Sequence, residues 1–258
     1  MNRIKQVFAG RRNKALVAYL TVGYPDIQTT LEAVPSLVEA GCDIVELGIP
    51  FSDPLADGVT IQRASYEALK KGVTSRTCLE VAAKLRKQVD IPLLFMSYYN
   101  PILRYGVADF CKACVGAGVD GLIVPDLPPE EGGSLDGATI SCGLACVYLL
   151  SPASTDERIR LVASHSRGFI YLVSLRGVTG ARNALPRDLD AFVGRVRAQA
   201  SQPLCVGFGI STPVQARQVA DMADGIIIGS RLVELVSKDG VRAAASFVRT
   251  VRQALDDM

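Results

Sequence analysis

The chain has 258 residues, and its 28 Lys and Arg against 26 Asp and Glu leave a formal charge of +2. A balance this close to neutrality argues against a nucleic-acid binder that depends on neutralising phosphates, and the chain has no Trp for stacking bases. Hydrophobic residues make up 49% of the sequence, which is enough for a large core. No run approaches the ~20 apolar residues that a membrane-spanning helix needs.

A unit of about 30 residues recurs along the chain: a short apolar strand, a turn with Gly, Pro or Asp, and a helical pattern. The apolar runs are continuous rather than alternating, which is typical of strands covered on both faces. Eight strands are predicted: ALVAYLT (15–21), DIVELGI (43–49), IPLLFMS (91–97), VDGLIVP (119–125), LACVYLL (144–150), GFIYLVS (168–174), QPLCVGF (202–208) and ADGIIIG (223–229).

Eight strand–helix units in a chain of this length predict an α/β fold, a (β/α)8 TIM barrel formed as one domain over residues 1–258. We expect an extra helix at the N-terminus and extra helices near loops 2 and 8. A doubly wound sheet is the alternative, but such sheets normally have about five or six strands and a glycine-rich first turn. The corresponding turn here, TVGYP, lacks the GxGxxG pattern.

Several helix boundaries follow from local signals. Ser154 and Glu157 are predicted to form a capping box, and Thr212 to cap a helix with Pro213 at its first position. Pro35 lies within the first helical pattern, where we expect a kink or a late helix start.

Histidine and cysteine usage limits the possible chemistry. His165 is the only histidine, so neither HExxH nor Cys₂His₂ is possible; we interpret it as structural and expect no metal site. The seven cysteines are dispersed, and the single CxxC pair, Cys111 and Cys114, is interpreted as part of a packed helix face. Free thiols are typical of the cytoplasm, where we expect this protein. The octet after the basic N-terminus has no cleavage site behind it, so we interpret it as a strand rather than a signal peptide.

Glu46 is the most informative polar residue, because it lies inside the apolar strand DIVELGI. In a barrel of this type the active site lies at the C-terminal ends of the strands. A lone carboxylate in such a strand is costly unless it is paired or its pKa is raised. The other predicted strands contain no Lys or Arg, so we interpret Glu46 as a proton-transfer group. The alternative is a structural Glu that pairs with a Lys or Arg from elsewhere.

Two further carboxylates follow in FSDPLADG. An Asx turn accounts for Asp53. For Asp57, which precedes Gly58 and a predicted helix start, N-capping is the structural alternative to a role in catalysis.

Glycine clusters follow the last three predicted strands: GVTG (177–180), GFGIS (207–211) and Gly229-Ser230. Glycines let backbone N–H groups approach an anion, and barrels often bind phosphate with the loops after strands seven and eight. We therefore predict a phosphate site but, without a GxxxxGK[ST] or true GxGxxG motif, no nucleotide. The long stretch 175–187 is interpreted as a lid.

Taken together, the strings VELGIPFSDPLADG, YYNPI, VPDLPPEE, YLVS, GVTG, GFGIS and IIIGS resemble the alpha subunit of tryptophan synthase, over about residues 3–255. The resemblance implies cleavage of indole-3-glycerol phosphate to indole and glyceraldehyde 3-phosphate, with no metal or cofactor in this chain. It also implies an αββα complex whose beta subunit carries pyridoxal phosphate. The partner surface would include the rim near Asp53-Pro54 and the segment 99–102.

The same resemblance assigns residue roles. Glu46 would move the proton at indole C3, Asp57 would accept a hydrogen bond from the indole N–H, and Tyr171 would lie beside the glycerol chain. Thr179 would pair with Asp57 when the lid closes. The remaining substrate contacts it implies are Tyr19 at the indole and Gly180, Gly209, Gly229 and Ser230 at the phosphate.

The sequence departs from the family pattern at two places. Val59 stands where the family usually has Pro, and Leu175 separates Ser174 from Arg176 where many members have Arg directly after Ser. Neither departure touches a catalytic group, so we expect an active enzyme. Two other functions stay open: another phosphate-binding barrel enzyme, or an alpha-like subunit that only activates a beta partner.

Overall fold

The computed structural model describes residues 3–9, 14–173, 188–207 and 209–257. Within them, nine parallel strands hydrogen-bond in the order β5-β4-β3-β2-β1-β9-β8-β7-β6. Every strand falls inside one of the eight predicted runs. The strands are β1 (Ala15–Thr21), β2 (Ile44–Gly48), β3 (Leu93–Met96), β4 (Gly121–Ile123), β5 (Ala145–Val147), β6 (Leu149–Leu150), β7 (Ile170–Val173), β8 (Leu204–Gly207) and β9 (Gly225–Ile228).

The sheet closes on itself at Tyr148, the residue between β5 and β6. β5 pairs with β4, whereas β6 pairs with β7. The Tyr148 carbonyl accepts the N–H of Tyr171 at 3.1 Å, and its own N–H donates to the Ser166 hydroxyl at 3.3 Å. The two short strands are thus halves of the predicted fifth strand. Because the sheet is closed, the predicted (β/α)8 TIM barrel is confirmed over a doubly wound sheet.

The described residues form twelve helices: α1 (Arg3–Phe8), α2 (Ile27–Glu39), α3 (Val59–Lys70), α4 (Ser75–Arg86), α5 (Tyr99–Tyr105), α6 (Val107–Gly116), α7 (Gly133–Cys142), α8 (Asp156–His165), α9 (Leu189–Arg197), α10 (Pro213–Ala220), α11 (Ser230–Lys238) and α12 (Val241–Asp256). α1 is the expected N-terminal helix, and α3 and α11 are the expected extra helices near loops 2 and 8. α5, between β3 and α6, has no counterpart in the sequence prediction.

The predicted capping box is wrong in detail, and of the two alternatives at Pro35 the late helix start is wrong. α8 is capped by Thr155, which accepts the N–H of Arg158, while the hydroxyl of Ser154 accepts the N–H of Ser151 instead. α2 does not start late: it begins at Ile27 and runs through Pro35, because Asp26 already caps it. The cap at Thr212, followed by Pro213, is confirmed.

An apolar plug closes the N-terminal end of the barrel. Ile4 and Val7 of α1 are buried in a cluster with strand residues, and Phe8 lies 6.1 Å from Phe169 between ring centroids. The other members of this inner cluster are Ala15, Val17, Ile44, Leu94, Ile123, Ala145, Val147, Cys205 and Ile227. The interior is therefore filled from below, which leaves the C-terminal end for a site.

The thiols behave as the sequence indicates. All seven cysteines are free, and Cys111 and Cys114 are fully buried on α6. Among the described residues, no helix combines the length and the apolar character needed to cross a bilayer.

Candidate active site

A cavity of about 880 Å³ lies at the C-terminal ends of the strands. It brings together four predicted site residues from distant parts of the chain: Tyr19 of β1, Asp57 after β2, Tyr171 of β7 and Gly229 after β9. A narrower cleft of about 120 Å³ adjoins it and shares Tyr171 and Gly229 with it. The site therefore has a wide chamber and a small side pocket.

Glu46 is fully buried on β2, beside Tyr19, which lines the cavity; Glu46 itself is not among the lining residues. Its Cα pairs in register with that of Tyr19, and its charge acts on both Tyr19 and Tyr171. Neither carboxyl oxygen has a hydrogen-bond partner among the described residues. Burial alone raises the pKa of Glu46 to about 8. Within the described part of the chain no cation neutralises it, so the alternative of a structural ion pair finds no support there.

Asp57 lies in the wall of the cavity, and the Tyr98 hydroxyl beside it accepts the N–H of the preceding residue, Ala56, at 2.8 Å. The helix that follows is capped by Gly58 without a side-chain bond, so Asp57 is not the N-cap. Burial raises the pKa of Asp57 to about 6, while the hydrogen bond from Tyr98 acts in the opposite direction. The two carboxyl groups thus differ in protonation at neutral pH. Glu46 keeps its proton there, whereas Asp57 is ionised. Asp53 is exposed and accepts a hydrogen bond from the Ser52 hydroxyl at 2.5 Å.

The two tyrosines lie close against glycines on neighbouring strands. A Cβ atom at Gly48 would be 2.1 Å from the Tyr19 hydroxyl, and one at Gly207 would be 2.5 Å from the Tyr171 ring. The Tyr19 hydroxyl is also 3.2 Å from that of Thr21. Burial, with the nearby carboxyl charges, raises the pKa of both phenols well above their ordinary value. Both therefore remain neutral hydroxyls that can donate a hydrogen bond.

We expect Gly207→Ala to lower kcat/KM for the natural substrate by about 100-fold, because displacements near 1 Å in a site have effects of this size. The new methyl group would push the Tyr171 ring out of its place. Steady-state kinetics on the purified variant measures the effect. The matched control is Gly194→Ala in α9, where a Cβ meets nothing within 4 Å. It should keep full activity and gain about 0.5–1 kcal/mol of stability. Wild-type turnover by Gly207→Ala would show that the position of Tyr171 is not required.

The adjoining cleft is lined by Gly209, Gly229 and Ser230, three of the predicted phosphate contacts. Ser230 begins α11, whose first bonded amides are those of Leu232 and Val233, both donating to the Gly229 carbonyl. The amides of the two preceding residues belong to the first turn, where a helix offers unpaired N–H groups and the positive end of its dipole to an anion.

The cleft also contains a carboxylate, which bears on its charge. Glu234 lines it, but Lys238 lies 3.3 Å and Arg231 3.9 Å from its oxygens. These two cations offset the negative charge. On the opposite side, the Ser211 N–H and hydroxyl both donate to Gln215 Oε1, which fixes the loop that carries Gly209.

The wide chamber has an apolar side that suits a flat aromatic ring. Met96, Leu127, Leu149, Leu150 and Val173 line it. The chamber thus has an apolar side, and the amide-lined cleft adjoins it at Gly229, a division that fits a substrate with an aromatic head and a charged tail.

Some predicted residues lie elsewhere. Thr179 and Gly180, like the whole expected lid at 175–187, fall outside the described residues. His165 does not line the cavity; its Nδ1 is 2.6 Å from Asp136 Oδ2, in agreement with a structural role. Tyr98 is the contact that sequence reasoning missed, since an aromatic residue after an apolar strand carries no signal of its hydroxyl's partners.

Comparison with known proteins agrees with the fold. A family model described as tryptophan synthase alpha chain matches residues 6–257. The tryptophan synthase alpha chain of Dehalococcoides mccartyi is 59% identical over 257 residues, which cover 99% of this chain and 100% of that protein. The alpha chain of Geobacter sp. strain M21 is 51% identical over 241 residues, covering 92% and 90%.

Solved structures give the same result. The tryptophan synthase subunit alpha of Legionella pneumophila matches with a TM-score of 0.93 at 38% identity, covering 100% of both chains. A chain of M. tuberculosis tryptophan synthase in an aminoacrylate-bound form matches with a TM-score of 0.90 at 36% identity, covering 99% of this chain and 100% of that one.

A closed barrel with a cavity at the carboxyl ends of its strands defines an enzyme of the (β/α)8 class. Its relatives refine this, and the chain belongs to the tryptophan synthase alpha chain family. The family's reaction is the cleavage of indole-3-glycerol phosphate to indole and glyceraldehyde 3-phosphate. The chain is accordingly a carbon–carbon lyase of tryptophan biosynthesis, and the resemblance found in the sequence is confirmed.

Proposed function

We propose that Glu46 is the acid–base group of this cleavage. The observation that carries the proposal is a fully buried carboxyl group, unpaired among the described residues, beside a cavity that divides into an apolar chamber and an amide-lined cleft. With a pKa of about 8, Glu46 holds a proton at neutral pH and can release it to the substrate.

The proton balance of the reaction needs only this one group. The acid form of Glu46 gives its proton to indole C3, which becomes tetrahedral and leaves positive charge on the ring. The carboxylate so formed accepts the proton of the glycerol hydroxyl next to the scissile bond. That carbon becomes the aldehyde, the C–C bond electrons return to the indole ring, and Glu46 is protonated again.

The remaining predicted contacts take supporting roles. Asp57, as a carboxylate, accepts the indole N–H hydrogen bond while charge develops on the ring. Tyr171 lies beside the glycerol chain, and Tyr19 contacts the indole. Gly209, Gly229 and Ser230 offer amides to the phosphate. These assignments come from the family resemblance, and the lining of the two cavities supports them.

Indole release from indole-3-glycerol phosphate in metal-free buffer, with and without a tryptophan synthase beta subunit, tests this function. We expect release by the isolated chain and faster release with the partner. Metal-dependent turnover without indole would favour another phosphate-binding enzyme. Stimulation of the beta reaction with added indole, but no cleavage, would favour a subunit that has kept only its partner role.

The partner proposed is a beta subunit in an αββα complex, with pyridoxal phosphate held by that subunit rather than by this chain. A cytoplasmic location goes with it and is supported by the seven free thiols. The proposed interface is the rim around Asp53-Pro54 and α5. Exposed apolar side chains lie there: Leu55 is 89% exposed, Val59 73% and Leu103 56%. Exposed apolar groups gathered on one rim are typical of a docking surface.

Leu103→Asp should raise the concentration of beta subunit needed for half-maximal stimulation at least tenfold, because it places a charge in the proposed apolar interface. Leu103 does not line the cavity, so indole release by the isolated chain should be unchanged. Titration of activity against the partner measures the effect. The control is Ile140→Asp, the same kind of change at a residue of α7 that is 60% exposed. Equal effects of the two variants would place the interface elsewhere.

A further inference from the structure

Tyr98 joins the third strand's end to the segment that carries Asp57. It is buried, immediately precedes α5 and does not line the cavity. Its hydroxyl accepts the N–H of Ala56 at 2.8 Å, which places it beside the Asp57 carboxyl group, whose pKa it lowers. Its ring stacks on Phe51, with centroids 5.1 Å apart and planes inclined by 28°. One side chain thus holds the segment 51–57 at two points.

The direction of these hydrogen bonds follows from the number of protons. A phenol has a single proton to donate, and the Tyr98 hydroxyl does not use it toward Ala56, because there the amide is the donor. The Tyr98 proton is therefore free to point at an oxygen of Asp57. A hydrogen bond donated to a carboxylate stabilises the charged form, so it works against the burial that raises the pKa of Asp57.

Tyr98 is itself fixed by its surroundings. The Ser97 hydroxyl donates to the Tyr98 carbonyl at 2.9 Å, and the N–H of the next residue, Tyr99, donates to Asp126 Oδ1 at 2.9 Å. These bonds anchor the start of α5 to the segment after β4. The phenol is consequently a rigid support for a segment that contains no helix or strand of its own.

We propose that Tyr98 is a positioning residue for the lyase reaction: its hydroxyl, bonded to the Ala56 amide, orients the Asp57 carboxyl group in the wall of the cavity. This inference rests on the proposed role of Asp57. It predicts that the hydroxyl matters through its effect on Asp57, whereas a purely structural role would act through the stacking of the ring and would be independent of pH.

The test is Tyr98→Phe, which keeps the ring on Phe51 and removes only the hydroxyl. We expect the acidic limb of kcat/KM for indole-3-glycerol phosphate, near pH 6 in the wild type, to move up by about one pH unit. The loss relative to wild type is then about fivefold near pH 6 and less than about twofold near pH 7.5. Tyr105→Phe, the same change at the other end of α5, should leave the profile unchanged. Binding of glycerol 3-phosphate and a thermal melt report that each variant is folded.

A second pair of variants separates the two hypotheses. In an Asp57→Asn background, Tyr98→Phe should move no limb, because the group that it acts on is gone. If Asp57→Asn alone keeps the wild-type profile, the role of Asp57 fails and this inference fails with it. If Asp57→Asn loses the acidic limb but Tyr98→Phe keeps it at the wild-type pH, only the inference about Tyr98 is overturned. A uniform loss at every pH with an unmoved limb overturns it as well.

Discussion

Glu46→Gln is expected to lower kcat for indole release by about 10³–10⁴-fold, the upper part of the range typical of a lost general acid–base group. The amide has nearly the same shape but cannot give up or regain a proton. Steady-state assays of indole release measure the loss. The affinity for glycerol 3-phosphate, measured by calorimetry, should change less than about twofold, because Glu46 does not line the cleft proposed to bind the phosphate.

The control for this variant is Glu39→Gln, the same chemical change on an exposed residue of α2. It should leave both turnover and affinity at wild-type values. Turnover within tenfold of wild type by Glu46→Gln would contradict the proton-transfer role. Loss of glycerol 3-phosphate binding would show instead that the substitution damages the whole site.

The same variant should also be more stable than wild type, by an amount that grows with pH. Glu46 has an ordinary pKa near 4.5 when unfolded and about 8 when folded. Below pH 4.5 the proton is present in both states. Between these values only the unfolded state releases it, so wild-type stability falls as pH rises and levels off above about pH 8. Thermal melts of the two proteins should diverge over this window and run parallel outside it.

Asp57→Asn is the second change with a large expected effect, a fall of about 10²–10³-fold in kcat/KM. An amide can still accept a hydrogen bond from the indole N–H, but it carries no negative charge to stabilise the positive charge of the ring. For wild type we expect a bell-shaped profile, rising near pH 6 as Asp57 ionises and falling near pH 8 as Glu46 loses its proton.

The variant should lose the acidic limb of this profile and keep the basic one. Profiles of kcat/KM against pH for both proteins supply the measurement, and Asp109→Asn on the exposed face of α6 supplies the control. If Asp57→Asn kept the acidic limb, that limb would belong to another group. If its kcat/KM equalled that of wild type, the charge of Asp57 would have no part in the cleavage.

The strands could be predicted from the sequence because each is a short, continuous apolar run, the pattern of a strand covered on both faces. The break at Tyr148 could not, since LACVYLL is apolar throughout and the interruption depends on which neighbour each half pairs with. The late helix start expected at Pro35 was wrong for a related reason. The low helix propensity of one residue is outweighed in a helix that is already capped at Asp26 and packed on the barrel.

The site divides in the same way. Glu46 stands out in the sequence as a carboxylate in an apolar strand, and the structure gives it no partner among the described residues. The roles of Asp57 and Tyr171 came from resemblance rather than from spacing. The hydroxyl of Tyr98 lies outside both kinds of reasoning, because its partner Ala56 is 42 residues away in the chain and meets it only through the fold.

The ionisation of Glu46 can be measured directly, and it tests the central claim. Infrared difference spectra between wild type and Glu46→Gln, recorded across the pH range, isolate the carboxyl band of this one residue. The account predicts a protonated carboxyl at neutral pH that is converted to carboxylate with a midpoint near pH 8. A carboxylate band already complete at pH 6 would contradict it, because Glu46 would then have no proton to give to indole C3.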